Sequence, residues 1–428
     1  MENRNEAAFA LLRRMFDAAV DVARSADGIR AVLPAPPKGR TLVIGAGKAG
    51  ATMARAVETM WPGPLSGVVV VPDGYSDETG TIEIVEASHP VPDRRGLAAS
   101  ERILAAVEGL TADDMVLCLI SGGGSSLLVA PAAAIGLDDK QRITSDLLRS
   151  GATIHEMNCV RKHLSRIKGG RLAVACQPAR VVSFIVSDVA GDDLSTIASG
   201  PTAPDPSTSG EALAILERYD VAVDGAVRRW LQAAESETPK ADHPAFHDVA
   251  NHLVATPSLA LLGAADVAEA AGYPAVVLGD VIESEAREAG RVLAGIACAV
   301  RAGTSSLPRR CVLLSGGETT VTVTGKGRGG RNREFILGLA LGLAGADGIH
   351  ALAADTDGKD GAGDIAGAIV GPDTLRRARE LGLDPHLALK DNDAGPFFDA
   401  LGDALHTGPT FTNVNDFRAI IVDPGLAS

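Results

Sequence analysis

One local pattern limits the fold of this chain more than any other. Short, largely apolar and often β-branched runs recur along the chain, most of them separated by stretches of helical spacing and several ending at a glycine or acidic cluster. Thr41–Ile44, Val68–Val71, Ile82–Glu86, Met115–Ile120 and Val181–Val186 are such runs. A helix to about Met60 follows the first, Gly96–Glu108 the third, and Lys140–Ala175, with one or two breaks, the fourth. Strands without a polar face cannot leave one side in water, so they predict a mostly parallel sheet covered by helices on both faces. Glu6–Arg24 precedes them as a surface helix, and Glu211–Tyr219 and Ala226–Ala234 follow as helices. The polar, proline-containing stretch Glu235–His247 has no periodicity and marks a boundary, giving domains 1–238 and 239–428. Beyond it the alternation resumes. Pro257–Ala271, Glu283–Ala302, Asn332–Gly345 and Thr374–Leu381 read as helices, and Ala275–Leu278, Cys311–Leu314, His350–Ala354 and Arg418–Val422 as strands. Thr320–Thr324 alternates like a hairpin strand. The second half is therefore a second, smaller α/β unit.

A chain of 428 residues fits two or three domains of roughly 100–200 residues each. Lys and Arg total 40 against 54 Asp and Glu, a net charge of −14, which leaves no footprint for nucleic acid or an anionic membrane. With aromatics at 3%, base-stacking platforms are excluded as well. An anionic ligand must then be held by a local concentration of cations and N–H groups. The five cysteines, at 118, 159, 176, 298 and 311, form no C-x-x-C pair, so zinc-ribbon and thioredoxin chemistry have no support. Met1–Val20 lacks the apolar core of a signal peptide, and no apolar run approaches the roughly 18 residues of a membrane span. These features predict a cytoplasmic protein.

The loops carry the chemistry. Gly45-Ala46-Gly47-Lys48-Ala49-Gly50 matches G-x-G-x-x-G, with Asp73 about 23 residues on, so a dinucleotide site is a serious reading. Lys48, inside that turn, would add a point charge beside a helix N-terminus. Ser121-Gly122-Gly123-Gly124-Ser125-Ser126 lets backbone approach an anion closely. Asn158–Arg171, read as a helix, lines up Asn158, Arg161 or Lys162, Ser165 and Lys168 on one polybasic face. Acidic loops follow two strands: Asp188, Asp192 and Asp193 in one, and Asp355, Asp357 and Asp360 in the other. The second fails calcium-loop spacing, because Asp360 stands where glycine is obligatory. Carboxylates at a sheet edge suit Mg2+, which takes one or two of them with waters and phosphates. Gly325–Glu334 packs Lys326, Arg328, Arg331 and Arg333 among glycines, and VLCLISGGGSS at 116–126 is echoed by CVLLSGGETT at 311–320. Each loop has a plainer reading as a tight turn, solvated charge or Asx cap. Together they are the parts of phosphoryl transfer, in which positioning and charge neutralisation supply most of the catalysis.

Seven stretches resemble the class II glycerate kinases, the glycerate 2-kinase family. They are VIGAGKAG (43–50), HPVPD (89–93), SGGGSSLL (121–128), NCVRKHLSRIKGGRLA (158–173), SDVAGDDLSTIASGPT (187–202), LSGGETTVTVTGKGRGGRNREF (314–335) and ADTDGKDG (354–361). The resemblance implies a larger Rossmann-like domain and a smaller MOFRL domain around an active-site cleft. It implies transfer of the γ-phosphoryl of ATP to D-glycerate, giving 2-phosphoglycerate and ADP, with Mg2+. The family's lysine falls on Lys48 and its glycine-flanked arginine on Arg331; with Asp188 of the acidic loop these are the candidate catalytic residues. Gly45, Gly47, Ser121, Gly122, Gly123, Gly124, Ser125, Asn158, Arg161, Lys168, Ser315, Gly316, Gly317, Glu318 and Gly330 are the candidates for binding substrate and phosphate. Asp188, Asp192 and Asp355 are the candidates for metal. Whether Asp188 or Asp192 serves Mg2+ or the substrate hydroxyl stays open, as does a monomer or homodimer. Two rivals remain: an NAD(P)H-dependent hydroxypyruvate reductase using the 45–50 loop, and a non-catalytic regulator that binds a sugar acid.

Overall fold

The computed structural model of the chain describes residues 2–132, 135–361 and 363–426. The chain divides into two compact units, one of residues 25–254 and one of residues 1–24 with 255–428.

The 25–254 unit is built on six strands: β1 (Thr41–Ala46), β2 (Ser66–Pro72), β3 (Ile82–Ala87), β4 (Met115–Ile120), β5 (Arg180–Val186) and β6 (Val249–Ala255). Their spatial order is β3-β2-β1-β4-β5-β6. β3, β2, β1, β4 and β5 run parallel. β4 is buried at every position, as its unbroken apolar sequence predicts for a strand covered on both faces. Parallel pairing puts the carboxyl ends of β1, β4 and β5 at one edge, where the loops after Ala46, Ile120 and Val186 emerge. That edge is where open α/β sheets bind ligands.

The stretch read as helical from Lys140 to Ala175 is three helices with two breaks: Leu137–Ser150, Ile154–His163 and Arg171–Ala175. Gly151 stops the first with a left-handed φ of 79°. Thr153 and Glu156 start the second with a reciprocal capping box.

The other unit holds β7 (Ala275–Gly279), β8 (Cys311–Gly317), β9 (Ile349–Asp355), β10 (Gly367–Val370), β11 (Ala404–Leu405) and β12 (Asp416–Val422), in the order β11-β10-β9-β12-β8-β7. Only β7 and β8 pair in parallel; β12 runs antiparallel to both β8 and β9. Thr320–Thr324 forms no strand; Thr320 makes an isolated bridge to Glu285.

The division differs from the expected 238/239 boundary at both ends. The apolar face of helix Glu2–Ala23, with Leu12, Met15 and Ala19 fully buried, belongs to the 255–428 body. Phe16 meets Phe417 edge-on at 5.8 Å. Polar Glu235–His247 is not the divide, because the chain returns to complete the first sheet with β6.

Candidate functional site

The first glycine loop is closed rather than open to a ligand. Gly47 N–H donates to Val70 O at 3.0 Å and Lys48 N–H to Gly122 O at 2.9 Å. Ala49 N–H donates to Ser121 Oγ at 3.0 Å, and Gly50 N–H to Gly47 O at 3.0 Å. The donors expected to cradle an anion are spent on the neighbouring strand and on the second glycine loop. The glycines serve close packing. A Cβ on Gly45 would stand 2.0 Å from Leu119 O, and one on Gly47, at φ 137°, would stand 2.1 Å from Ser121 Oγ. The anion-cradling role expected of Gly45 and Gly47 is therefore corrected to a packing role, and buried Ser121 is a lock between the loops.

The second loop faces a ligand-sized space. Gly123, with φ 81°, and Ser125 line a cavity of about 160 Å3 together with His89, Lys140, Arg161 and Lys168. A Cβ on Gly123 would lie 3.0 Å from His89 Nε2 and 3.6 Å from Lys48 Cγ, so the loop, the histidine and the lysine meet here. Gly124 is spent on packing: its N–H bonds Ser121 O, and Ala198 Cβ would lie 2.8 Å from a Cβ there. Gly122 supplies its carbonyl to Lys48 N–H.

A chain of polar contacts links two of the cavity's lining residues, Ser125 and Arg161. Ser125 Oγ and Ser199 Oγ are 2.8 Å apart, and Ser199 Oγ donates to Asn158 Oδ1 at 3.2 Å. Arg161 Nη1 reaches the same Asn158 oxygen at 3.5 Å. Lys168 Nζ donates to Ser125 O at 2.7 Å, and Lys140 Nζ to Leu164 O at 3.3 Å. Ala198 and Ser199 hold φ of 50° and 62°, a left-handed conformation costly for residues with a Cβ and common where a site is built. Asn158, Arg161 and Lys168 thus converge as expected, although Lys168 comes from the turn after the helix. Lys162 instead faces away, paired with Asp205 at 3.1 Å.

Electrostatically the cavity is one-signed. Burial lowers the pKa of Arg161. Burial and then Arg161 push Lys140 down to about 7, and burial followed by Lys140 and Arg161 pushes Lys168 well below the ordinary lysine value. Lys140 was missed in the sequence, yet a signal existed. In helix Leu137–Ser150 the buried residues are Lys140, Ile143 and Leu147, so a lysine occupies the apolar stripe.

Beyond β5, Asp193 caps its own turn, accepting from Ser195 N–H at 3.0 Å and Thr196 Oγ1 at 2.7 Å. Asp192 differs: it has φ 55°, and its Oδ1 is buried with no hydrogen-bond partner among the described residues. Among the described residues no group of three or more His, Cys, Asp or Glu side chains converges as a metal cage.

The second unit gathers its charges at one sheet edge. Register pairs Asp416 with Gly317 on one side and Asp355 on the other. Arg331 bridges this edge: Nε donates to Asp416 Oδ1 at 2.7 Å, Nη2 to Asp355 Oδ2 at 2.9 Å, and Nη1 to Glu318 Oε1 at 2.5 Å. Burial opposes the Arg331 charge, but Asp416, Asp355 and Glu318 outweigh it and raise its pKa. Asp416 also accepts from Asn332 Nδ2 at 2.7 Å and Arg418 Nη2 at 2.6 Å. No sequence motif pointed to Asp416; antiparallel pairing of β12 brings it in.

The glycine-arginine turn is also internally bonded. Thr324 and Gly325 N–H donate to Asn392 Oδ1, Lys326 N–H to Asp391 Oδ1 and Arg328 N–H to Asp393 Oδ1. The start of helix Arg331–Leu343 is filled by buried Asp360, which accepts from Asn332 and Arg333 N–H and from Arg333 Nε at 2.9 Å. Gly330 permits that approach, since a Cβ there would lie 2.3 Å from Asp360 O. Ser315, Gly316 and Gly317 are buried strand residues; Gly316 O accepts from Arg418, and a Cβ on Gly317 would lie 2.4 Å from Ile282 N. Gly316, Gly317 and Gly330, candidates for binding substrate and phosphate, are here packed against Arg418, Ile282 and Asp360. Glu318, a binding candidate, and Asp355, a metal candidate, both meet Arg331 here.

Residues 11–232 match DUF4147, a domain of unknown function, and residues 311–416 match the MOFRL family. A protein of Agrobacterium vitis, provisionally named a hydroxypyruvate reductase, is 52% identical over 415 residues, covering 96% of this chain and 94% of that protein. The D-glycerate 2-kinase of Thermotoga maritima is 42% identical over 390 residues, covering 91% and 92%. The crystal structure of the Thermotoga maritima glycerate kinase superposes with a TM-score of 0.89 at 39% identity, covering 98% of this chain and all of that one.

Proposed function

This chain belongs to the glycerate kinase family, and we propose that it transfers the γ-phosphoryl group of ATP to the 2-hydroxyl of D-glycerate, using Mg2+, in the cytoplasm. The observation that carries the reading is the small cavity lined by Lys140, Arg161 and Lys168. Its volume of about 160 Å3 lies below the roughly 300–1,000 Å3 of sites for drug-sized ligands and suits a small acid. The acid's carboxylate brings a negative charge to a wall whose described residues hold three cations and no anion. The hydroxyl then sits toward His89, Gly123 and Lys48, and Lys48 neutralises charge developing on the transferred group. In the reaction the hydroxyl releases its proton to solvent, the new P–O bond forms to that oxygen, and the bond to the ADP leaving oxygen breaks.

Asp192 fits Mg2+ better than Asp355 does. Its buried Oδ1 has no hydrogen-bond partner among the described residues, whereas Asp355 Oδ2 accepts from Arg331 and its Oδ1 from Asp357 N–H. Mg2+ keeps waters and nucleotide phosphates and needs only one or two carboxylates, so Asp192 with Asp188 would hold it. Bound there it supplies neutralisation of phosphate charge. Arg331 keeps two N–H groups beyond the three it spends, and Glu318, the half-exposed member of its cradle, is the one that can yield a third to phosphate.

The reductase reading draws on the G-x-G-x-x-G loop and on the name carried by the Agrobacterium vitis relative. The loop's donors are committed within the protein, which weighs against a pyrophosphate there. A coupled assay decides. ADP is expected only with D-glycerate, ATP and Mg2+ together, and EDTA abolishes it. NADH oxidation with hydroxypyruvate and no ADP release would overturn the kinase reading.

A further inference from the structure

Five lysine and arginine residues are buried among the described residues: Lys140, Lys162, Lys168, Arg333 and Arg418. Three meet a carboxylate: Lys162 has Asp205 at 3.1 Å, Arg333 has Asp360 at 2.9 Å, and Arg418 has Asp416 at 2.6 Å. The other two, Lys140 and Lys168, line the same cavity, and their hydrogen bonds go to the neutral carbonyls of Leu164 and Ser125. Arg161, the third cation of that wall, bonds the neutral amide oxygen of Asn158. Buried charge without a counter-charge is costly, and elsewhere this protein avoids it by pairing. Here the missing counter-charge is left for a ligand.

One carboxylate cannot balance three cations. A phosphorylated acid brings its carboxylate and a phosphate of about two negative charges. We propose that this cavity is matched to the phosphorylated acid, so that the protein binds 2-phosphoglycerate more tightly than D-glycerate. Lys140 and Lys168 set that preference. The inference rests on the kinase reading for the identity of the two acids, but the charge matching does not depend on turnover. It follows that 2-phosphoglycerate competes with D-glycerate, and that product retention limits the forward rate as product accumulates. A site complementary to the charge at the end of the reaction also favours the charge growing on the way there.

The test is equilibrium titration of the whole chain, without nucleotide, by D-glycerate, 2-phosphoglycerate and inorganic phosphate. The expected result is binding of 2-phosphoglycerate about tenfold or more tighter than D-glycerate, with Lys140→Met and Lys168→Met each removing most of that ratio. Lys140→Arg, which keeps the charge, retains it and controls for misfolding. Equal or tighter binding of D-glycerate overturns the proposal. So does inorganic phosphate binding as tightly as 2-phosphoglycerate, because the carboxylate would then contribute nothing. A wild-type chain that shows the preference but forms no ADP in the coupled assay would sink the kinase reading and leave the charge matching standing.

Discussion

The ammonium of Lys168 lies 2.7 Å from the carbonyl oxygen of Ser125, which ties the polybasic segment to the second glycine loop. The bond fixes a cation that is 1% exposed at the wall of a polar cavity without neutralising it. Lys168→Met should therefore raise the KM for D-glycerate by about 10–100-fold, the loss of one charge-assisted contact of roughly 1.5–3 kcal/mol. The fall in kcat should be smaller. Thermal stability of the ligand-free protein should hold or rise, since the substitution removes an amine whose charged form burial disfavours. Initial rates and melting curves measure both. A variant that loses stability while keeping its KM would make Lys168 a structural residue.

Lys140 gives the site a pH dependence of known sign. Its folded pKa, about 7, lies below the ordinary 10.5 because it is buried and faces Arg161. Above pH 7 the ligand-free site loses this charge, while an acid in the cavity needs it. The KM for D-glycerate should rise with pH above 7, by up to about tenfold per unit, until the complex itself deprotonates. The contribution to stability runs the other way. Between pH 7 and 10.5 the unfolded chain holds the proton that the folded one has shed, so this group adds stability as pH rises. Lys140→Met should flatten the KM profile. A profile unchanged in that variant would remove Lys140 from the binding step.

The strand-and-glycine alternation was legible because β1, β4, β5 and β8 are apolar on both faces and end at loops, a pattern set within a few residues. Asn158, Arg161 and Lys168 were legible because helical spacing brings two of them to one face. What the glycine loops do was not legible, because it depends on partners far along the chain: Ser121 Oγ takes the Ala49 N–H, and Asn392 takes those of Thr324 and Gly325. Glycine runs signal close backbone approach, but not whether a phosphate or another loop approaches. Asp416 entered the Arg331 cluster through antiparallel register, and β6 joined the first sheet across a polar stretch; both are tertiary outcomes.

Lys48 tests the chemistry apart from binding. Its Cγ lies beside Gly123 at the cavity, and its own N–H is spent on Gly122 O. A donor that stabilises charge in the transition state is worth about 10²–10³ in kcat. Lys48→Met should lose that much in kcat with little change in D-glycerate affinity measured at equilibrium. Weakened affinity at an unchanged kcat would place Lys48 with the binding cations instead.

Arg331 is held by three carboxylates on Glu318, Asp355 and Asp416, and this geometry separates two roles that a single substitution confuses. A lysine offers three N–H groups from one nitrogen and cannot span the three oxygens that the planar guanidinium reaches. Arg331→Lys should lower kcat by about 10²-fold, nearly as far as Arg331→Ala. Both should also destabilise, by about 1–3 kcal/mol, because Asp416 and Asp355 are buried and lose a partner. Glu318 supplies the control. Its side chain is 52% exposed, so Glu318→Gln should change stability by less than about 1 kcal/mol. If Arg331 must release Glu318 to meet phosphate, that variant should keep or raise kcat, since the competing anion is gone. A Glu318→Gln enzyme as slow as Arg331→Lys would mean that the intact three-carboxylate cradle, rather than a freed guanidinium arm, is what the reaction needs.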